Sequence, residues 1–543
     1  MKKIYFILAV MFSLQFITSE KIFSQPNLPH LQWARFMNGP GSVDDLFGDM
    51  DVDSAGNCYT LGWNSGLLIS KYDPEGRVLW EREYDDPIYP ALKGKSIKVD
   101  KQGNVFVVGD NHRWHIIKYN SEGQLLWVRY VRGYVAINEA SRMVLDDEGN
   151  VYVTGGSSIN PGQISDIVTV KYSNNGDSLW TQSESGTYNG ERTYDFGKDI
   201  ALDDSNNVYV TGVIGTSIHP QTLIIVKYDN NGKRIWKRER IPEGYGDSYG
   251  YSIKVQNNSV IAGGSTSKST GITFYLLKYN LNGEFLWENV RFSPLLPQNS
   301  NQNYIKNLTV DNIGNIYACG VYDLIGGGYD FTIVKYSESG AAIWIKRITY
   351  PAIGFDECLY LSTDENNNIY ASGVTNELNQ EYRLTIIKLN PSGDIQWMLK
   401  YPNTISSGGS RGEKIILHKT GYYIGGNFAI TSSLGFEILT LKYSLPVNIN
   451  NQNIIGLNNE ILNYPNPFNS ISNFKFRLIK QSKVNIKIYS IAGKLIETIT
   501  DGIYSAGETN ILHNFSNYSS GVYYYTFAID GDRISTNKLI LVK

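Results

Sequence analysis

The residues whose types could support chemistry are a set of regularly spaced aspartates. Asp51 and Asp53 open a segment that begins like a calcium-binding loop. However, Ala55 and Gly62 stand where such a loop needs oxygen ligands. An aspartate recurs at the same point of a repeated phrase along the chain, and its side chain can bond to the amides of its own turn. We therefore interpret these aspartates as turn formers and predict no metal site.

The histidines give no stronger indication of a reactive site. Six are scattered along the chain: His30, His112, His115, His219, His418 and His513. His112 and His115 are the closest pair, but no cysteine or repeated carboxylate stands beside them to complete a metal site, which favours a solvated loop. Glycine-rich phosphate loops and nucleophile elbows are also missing from the sequence. We predict no catalytic residue and no cofactor, and hence a protein that is not an enzyme.

The elements that would carry any site are set by a recurring phrase. It consists of an apolar run, Lys, Tyr, a polar residue, two variable positions, Gly, three residues and Trp. Copies occupy residues 71–80, 118–127, 171–180, 227–236, 278–287, 335–344 and 388–397. The β-branched run suits a buried strand, and the Gly suits a positive-φ position in a bulged turn. The phrase therefore predicts a β-hairpin whose Trp packs between sheets.

A second phrase, Asp-x-x-Gly-Asn, precedes each hairpin and predicts another tight turn. It stands at residues 53–57, 100–104, 146–150, 203–207, 311–315 and 364–368, with degenerate copies near Gln256 and His418. Asn206 and Asn367 replace the Gly in two copies, and Asn also tolerates the left-handed conformation. The two phrases together give four strands about every 47 to 57 residues. This period is typical of propeller blades, and predicts an all-β fold with an eight-bladed β-propeller, with seven blades as the alternative.

The ends of the repeat array predict how the ring closes. Trp33 lies in a fourth-strand sequence with no hairpin before it, and Lys442-Tyr443 ends a third strand with no Trp after it. We expect residues 31–37 to pair with residues 437–443. The first-to-second and third-to-fourth turns are short and uniform, whereas the second-to-third and fourth-to-first connections are longer and variable. The variable connections should share one face, which we expect to bind ligand through Tyr188, Tyr194, Tyr245, Tyr249, Tyr304 and Tyr350.

Composition shifts divide the chain into four parts. Residues 1–24 combine Lys2 and Lys3 with a short apolar run, as a secretory signal does. The propeller covers 28–445, an Asn-rich linker 446–460, and a small Ig-like β-sandwich 461–543. A net charge of −3 gives no electrostatic case for nucleic acid, and no segment of the mature chain is predicted to span a membrane. A Cys319–Cys358 bond stays open, but three buried free thiols are the better interpretation.

The repeats resemble the β-propeller repeat family often called seven-bladed (SBBP). The residues that carry the resemblance are the Asp-x-x-Gly-Asn-x-Tyr-Val-Thr-Gly phrase at 146–155 and its less complete copy at 203–212. The resemblance implies a propeller and no reaction. The count of eight units departs from the family name.

The C-terminal module resembles the C-terminal sorting domain of the type IX secretion system. The matching residues are Tyr464, Pro465, Asn466, Pro467, Phe468, Gly521, Val522, Tyr523 and Lys543. The resemblance implies export across an outer membrane, a partner in the secretion machinery, a secreted or cell-surface location, and a source in the Bacteroidota or a relative.

Two classes of function stay open. The first is an extracellular binding or adhesion scaffold whose ligand is an unknown glycan or protein. The second is a polysaccharide hydrolase or lyase with acids drawn from the variable loops. Quinoprotein dehydrogenases share the blade layout, but their adjacent cysteines and metal-binding carboxylates have no counterpart here. The lack of a convergent acid pair favours the binding scaffold.

Overall fold

The computed structural model describes an all-β protein, with 42 strands and no helix among the residues that it covers. The described residues are 29–39, 44–133, 138–158, 164–269, 271–290, 303–324, 328–348, 354–376, 382–401, 409–429, 435–445, 461–464, 470–478, 481–490, 494–505, 507–530 and 532–541. The chain divides into two compact units, Met1–Val447 and Asn448–Lys543.

Among its described residues, the first unit contains eight sheets, each built on four antiparallel strands, and the first of the described strands, β1 (Leu31–Met37), belongs to the last of them. Sheet 1 is β2 (Leu46–Val52), β3 (Cys58–Trp63), β4 (Leu67–Tyr72) and β5 (Val78–Tyr84). Sheet 2 is β6 (Lys93–Val99), β7 (Val105–Asn111), β8 (Arg113–Tyr119) and β9 (Leu125–Arg132). Sheet 3 is β10 (Glu139–Leu145), β11 (Val151–Ser157), β12 (Asp166–Tyr172) and β13 (Ser178–Glu184), followed by the short hairpin β14 (Thr187–Tyr188) and β15 (Glu191–Arg192).

The remaining sheets repeat this order. Sheet 4 is β16 (Phe196–Leu202), β17 (Val208–Ile214), β18 (Thr222–Tyr228) and β19 (Arg234–Arg240). Sheet 5 is β20 (Ser248–Gln256), β21 (Ser259–Lys268), β22 (Gly271–Asn280) and β23 (Phe285–Asn289). Sheet 6 is β24 (Tyr304–Val310), β25 (Ile316–Leu324), β26 (Gly328–Tyr336) and β27 (Ala342–Ile348), with β28 (Gly354–Phe355) parallel to β26. Sheet 7 is β29 (Glu357–Thr363), β30 (Ile369–Asn376), β31 (Tyr382–Leu389) and β32 (Ile395–Lys400), and sheet 8 is β33 (Ser410–His418), β34 (Gly421–Ala429) and β35 (Phe436–Tyr443), completed by β1.

The first strands of the eight sheets contact one another in a closed cycle. Each packs against the first strand of the next sheet, and β33 of sheet 8 returns to β2 of sheet 1. The predicted pairing of the chain ends is confirmed, because β1 runs antiparallel to β35 with Trp33 opposite Lys442. The eight first strands therefore surround a common centre.

The repeated Lys and Trp join each sheet to the next. In sheet 1, Lys71 Nζ and Trp80 Nε1 both lie 3.0 Å from the carbonyl oxygen of Ser121, in the last turn of sheet 2. The same paired donation to one carbonyl recurs at five further junctions along the chain. It also closes the ring, because Lys442 and Trp33 both donate to Pro74. The repeated phrase thus encodes the contact between neighbouring sheets as well as the hairpin.

The hairpin glycines also allow neighbouring sheets to come into contact. Gly123 has φ 75°, as the bulged turn requires, and a Cβ there would lie 2.8 Å from the Trp80 ring of the preceding sheet. The register shift between Lys118 and Tyr119 confirms the predicted bulge. A side chain at this position would therefore strain the turn and also displace the indole.

One junction lacks the paired donation. Trp397 of sheet 7 is 3% exposed and its Nε1 has no hydrogen-bond partner among the described residues. At the other junctions the acceptor is the third residue after the repeated Lys of the next sheet, as Pro74 is after Lys71. Sheet 8 has no third-to-fourth turn at this point, because its fourth strand is β1, which does not follow β35 in the chain. The amide of Ser444, just after β35, instead donates to the carbonyl of His30, just before β1. Because β1 supplies the fourth strand of sheet 8, the junction between sheets 7 and 8 lacks the carbonyl acceptor that the other junctions have.

The expectation for the connections was partly wrong. The second-to-third connections do vary, but they are not always longer than the tight turns, since only His112 separates β7 from β8. His112 has φ 59°, which permits this very short reversal. All three cysteines are buried and unbonded, and burial together with the neighbouring thiol of Cys319 raises the pKa of Cys358.

The second unit has seven strands in two sheets. They are β36 (Ile461–Tyr464), β37 (Ile471–Leu478), β38 (Ser482–Ser490), β39 (Leu495–Tyr504), β40 (Gly507–Asn514), β41 (Gly521–Ile529) and β42 (Asp532–Leu541). One sheet has the order β36-β37-β40 and the other β39-β38-β41-β42. Alternate residues such as Val484, Ile486 and Ile488 form its buried core. Within the described ranges of the chain, no helix has the length and apolarity needed to cross a membrane.

Candidate functional site: a tyrosine cluster and a charged centre

The repeated aspartates are engaged in their own turns. Oδ1 of Asp53 accepts hydrogen bonds from the backbone amides of Ala55 and Asn57. Oδ2 accepts from the side-chain amide of Asn57 and from the Tyr59 hydroxyl. Asp146, Asp203, Asp311 and Asp364 repeat this pattern with the tyrosine six residues later. No group of three or more potential metal-ligating side chains occurs in the described ranges. These aspartates order the turns. The sequence analysis did not predict that a tyrosine hydroxyl also donates to each of them.

The interpretation of His115 as a loop residue was wrong. His115 lies in β8, is fully buried, and its Nε2 is 2.7 Å from Oδ2 of Asp86. Arg113 pairs with the same carboxylate and stacks 3.9 Å from the Tyr130 ring centroid. Burial lowers the pKa of His115 despite the adjacent carboxylate. Because Asp86 and His115 are both buried, this group ties the connection between sheets 1 and 2 to β8 and offers no surface to a ligand.

Two of the six predicted ligand-face tyrosines lie together. Tyr249 stacks on Tyr251 with ring centroids 5.9 Å apart, and Tyr251 meets Tyr304 edge to face at 6.3 Å. These residues lie near the starts of β20 and β24, directly after fourth-to-first connections. Each is half-buried, so part of every ring faces solvent. We call Tyr249, Tyr251 and Tyr304 the tyrosine cluster.

Charged groups border the tyrosine cluster. The hydroxyl of Tyr304 donates to Glu357 at 3.3 Å. The same carboxylate pairs with Lys306 at 3.3 Å and with Arg411 at 2.9 Å. Burial and the Glu357 carboxylate raise the pKa of Tyr304, which keeps its hydroxyl protonated as a donor. The cluster therefore combines flat apolar rings with polar groups at one edge, a surface suited to sugar rings or peptides.

The other predicted tyrosines do not join this cluster by any described contact. Tyr188 lies in the β14–β15 hairpin, and Tyr194 follows that hairpin with 56% of its surface exposed. Tyr245 lies 5.0 Å from the Nζ of Lys268. Tyr350 lies outside the described residues.

A second group, which the sequence analysis missed, lies where the first strands meet. Each first strand alternates a fully buried apolar residue with half-buried or polar neighbours. The buried set is Met50, Ile97, Met143, Ile200, Ile253, Leu308, Leu361 and Ile415. The residue just before each is polar: Asp49, Ser96, Arg142, Asp199, Ser252, Asn307, Tyr360 and Lys414. Alternation places the apolar set between the sheets and turns the polar set the opposite way.

The polar set is held partly by bonds between sheets. Lys414 Nζ donates to Oδ1 of Asp49 at 2.6 Å and to the carbonyl of Met50 at 2.8 Å. Asp49 Oδ2 also accepts from the Ser96 hydroxyl at 3.1 Å and from the amide of Ile97. Asp199 and Asn307 accept from the first-strand amides of the following sheet in the same way. These acceptors therefore satisfy the innermost amides at the junctions.

Several cations reach the centre without such a bond. The side chains of Lys98, Arg142 and Lys254 make no direct hydrogen bond or ion pair to any residue in the described part of the chain. Lys98 and Arg142 nevertheless interact electrostatically with Asp49 and Tyr360, which belong to other sheets. We call Asp49, Lys98, Arg142, Lys254, Tyr360 and Lys414 the charged centre.

The pKa values within the charged centre are coupled. Burial would raise the pKa of Asp49, but Lys414, Lys98 and Arg142 hold it well below its usual range. Burial would also raise the pKa of Tyr360, but the positive charges of Lys414, Lys254 and Lys98 lower it. At Tyr360 the effect of these positive charges therefore exceeds that of burial and of the Asp49 carboxylate. A signal was present in the sequence, since a polar residue precedes the central apolar residue in all eight first strands.

Two carboxyls outside the charged centre have raised pKa values. Burial raises the pKa of Asp110 to about 6, although Lys95 lies 3.6 Å away. Burial also raises the pKa of Asp195 to about 6, while the amides of Gly186 and Gly215 donate to it. Asp195 is fully buried and supports a loop. The two carboxyls share no partner within the described ranges, so they do not form an acid pair.

The sorting motif is only partly visible. Gly521, Val522 and Tyr523 begin β41, and Tyr523 donates to the carbonyl of Ser519 at 2.8 Å. Tyr464 ends β36. Residues 465–468 and Lys543 lie outside the described residues.

Comparison with known proteins identifies the second unit. Residues 463–543 match the family model of the secretion system C-terminal sorting domain. This match confirms the predicted sorting domain and the predicted location at the cell surface or in the extracellular space. It covers the C-terminal part alone and assigns no family to the rest of the chain. No curated protein matches the chain.

Solved structures give distant likenesses. A protein of unknown function from Bacteroides caccae is 13% identical, with a TM-score of 0.32, and covers 56% of this chain and 94% of its own. An ulvan lyase, described as a new family of polysaccharide lyase, is 12% identical, with a TM-score of 0.37 and coverages of 64% and 90%. The WD40 domain of SCAP from fission yeast is 10% identical, with a TM-score of 0.41 and coverages of 76% and 98%.

Proposed function

We propose that this exported chain carries an eight-bladed β-propeller over residues 28–445, which acts as an extracellular binding or adhesion module. The support for eight blades is the closed cycle of eight four-stranded sheets and the pairing of β1 with β35. The C-terminal part, a small β-sandwich after the linker 446–460, serves as the address for the type IX secretion machinery. In this proposal residues 1–24 are the secretory signal, and the source belongs to the Bacteroidota or a relative.

The tyrosine cluster is the single observation that carries the binding function. Tyr251 contacts both Tyr249 and Tyr304, and Tyr304 bonds Glu357, next to connections that vary from sheet to sheet. The opposite turns repeat nearly the same residues, whose side chains are used to order the turns themselves. The face of the variable connections is therefore the better ligand surface, with an extracellular glycan or protein as its ligand.

Array screening followed by paired substitutions tests this function. The full secreted chain would be probed on glycan and peptide arrays, and the best ligand would then be titrated against Tyr249→Ala and Tyr304→Ala. We expect each variant to weaken binding about tenfold, since each removes a large contact surface. Lys101→Ala, an exposed turn residue, is the matched control and should bind normally. Equal loss in the control and the tyrosine variants would contradict the assignment.

A hydrolase or lyase is the second candidate, and Asp110 is the observation that favours it. Asp110 stands near the end of β7, beside the reversal at His112, and burial raises its pKa to about 6, so it is partly protonated near neutral pH, as a general acid must be. It is only 3% exposed, so this role requires the neighbouring connection to open. Polysaccharide turnover by the full chain that disappears in Asp110→Asn would support this candidate. Turnover that is unchanged by the substitution, or no turnover of any acidic or neutral polysaccharide, would argue for the binding module.

A further inference from the structure

The charged centre contains more positive groups than its carboxylates engage. Lys414 is committed to Asp49, with an Nζ–Oδ1 distance of 2.6 Å. Asp199 accepts from the Ser252 hydroxyl at 3.2 Å and from the amide of Ile253 at 2.9 Å, and Asp51 accepts from the amide of Val99. These carboxylates are therefore bound to groups at the sheet junctions, and they act on Lys98 and Arg142 through charge at longer range, without a direct bond.

Three cations have no such commitment. Lys98, Arg142 and Lys254 come from the first strands of sheets 2, 3 and 5 and make no direct hydrogen bond or ion pair within the described ranges. Arg142 is exposed to solvent although charged groups of several other sheets surround it, and Lys98 and Lys254 are half-buried. Solvent thus reaches all three side chains inside a ring of protein.

We propose that Arg142, Lys98 and Lys254 form a binding site for an oxyanion, such as a carboxylate, sulfate or phosphate group, at the centre of the ring of first strands. The guanidinium of Arg142 has the planar geometry that binds such groups through two parallel hydrogen bonds. Lys98 and Lys254 supply further positive charge from neighbouring strands. This site is separate from the tyrosine cluster and does not depend on the function proposed for it.

Tyr360 adds a hydroxyl group to the site. Its ring lies 5.8 Å from the Nζ of Lys414, and the positive charges of Lys414, Lys254 and Lys98 act on its hydroxyl. An anion that enters the site would accept a hydrogen bond from this hydroxyl while it replaces water around the three cations. Because the surrounding sheets exclude part of the solvent, attraction there is less screened than at an open surface.

Calorimetric titration of the full secreted chain at low ionic strength and pH 7 tests the site. The probes are sodium sulfate, sodium phosphate and trigalacturonic acid, with neutral cellotriose as the uncharged control. We expect at least one anionic probe to bind and cellotriose not to bind through this site. Binding of sulfate or phosphate, without binding of trigalacturonic acid, would show that the site takes a free inorganic anion. Binding of trigalacturonic acid alone would identify a carboxylate carried on a sugar chain.

Substitutions then locate the binding. Arg142→Gln and the double variant Arg142→Gln/Lys254→Gln should weaken the anionic probe by about tenfold or more, the loss typical of a charge-assisted hydrogen bond. Lys101→Gln changes the net charge as much as Arg142→Gln but alters an exposed turn, and should keep the affinity. Arg142→Gln should lower the melting temperature only slightly, because the Arg142 side chain makes no direct hydrogen bond or ion pair and acts on Asp49 only at a distance.

The outcomes that overturn the site are equally defined. No binding of any anionic probe, full binding by Arg142→Gln, or an equal loss in Lys101→Gln would each exclude it. If the double variant fails to fold, Arg142→Gln and Arg142→Lys decide, since Arg142→Lys keeps the charge but lacks the two-pronged geometry. Arg142→Lys should recover part of the affinity for the anionic probe that Arg142→Gln loses.

Discussion

The Nζ of Lys414 lies 2.6 Å from Oδ1 of Asp49 across the junction between sheet 8 and sheet 1. The two residues are 365 positions apart in the chain. Both are buried, and Lys414 also donates to the carbonyl of Met50. The ion pair therefore belongs to the closure of the ring, together with the pairing of β1 and β35.

Replacing Lys414 with Met should destabilise the protein most at neutral pH. Removing one partner leaves Asp49 buried with a charge, which typically costs about 3 to 5 kcal/mol. Because the pKa of Asp49 is depressed in the folded protein, the pair stabilises fully above the unfolded-state pKa of about 3.9, and this contribution is lost as the pH falls through the folded-state value. The gap in unfolding free energy between the native protein and Lys414→Met should therefore narrow below about pH 4.

Urea denaturation across the pH range measures this effect. Lys101→Met, which breaks an exposed ion pair with Asp147 at 2.9 Å, is the control and should change stability little. A gap that stays constant from pH 7 to pH 3 would show that the ion pair is not the cause.

The indole nitrogens of Trp80 and Trp397 should contribute differently to the free energy of unfolding. Trp80 donates to the Ser121 carbonyl, so Trp80→Phe loses a hydrogen bond worth about 1 kcal/mol, in addition to part of its ring contacts. Trp397 Nε1 is buried without a partner in the part of the chain that the structure describes, so Trp397→Phe loses no bond there and removes an unsatisfied donor. Denaturation curves should place Trp397→Phe above Trp80→Phe in stability. The same loss in both variants would contradict the missing acceptor between sheets 7 and 8.

Ring closure should depend on Trp33. This side chain is 7% exposed, packs against Tyr72 and Tyr423, and donates to Pro74. Trp33→Ala should lower the free energy of unfolding by about 3 to 5 kcal/mol, the usual cost of removing a buried aromatic side chain. Leu31→Ala, on the same strand but 44% exposed, should have a small effect. Equal melting temperatures for Trp33→Ala and the native chain would show that β1 adds little to closure.

Export should require the second unit. In the native host, a chain that ends at residue 459 lacks the segment that matches the sorting-domain model, and should accumulate in the periplasm. Cell fractionation and immunoblotting against the full chain measure the distribution. Normal delivery of the shortened chain to the surface or medium would contradict the role of this unit.

The sequence by itself determined the repeat, its turns and the joining of its ends. These features depend on local chemistry: Gly123 takes a positive φ, Asp53 bonds its own turn, and the unpartnered Trp33 and Lys442 each supply what the other lacks. Each of these signals lies within a short stretch of chain or repeats at a fixed interval. The sorting domain was likewise predictable, because its motif consists of short segments of chain that follow one another in a fixed order within residues 463–543.

Only the tertiary structure decided which polar residues meet. Lys98, Arg142, Lys254 and Tyr360 lie in different repeats, and their charges interact because eight first strands pack around one centre. The burial of His115 and the missing acceptor for Trp397 were hidden for the same reason. A strand's alternation divides its residues between two faces, but the neighbours that each face meets are fixed by how separate sheets pack, and sequence spacing carries no record of that packing.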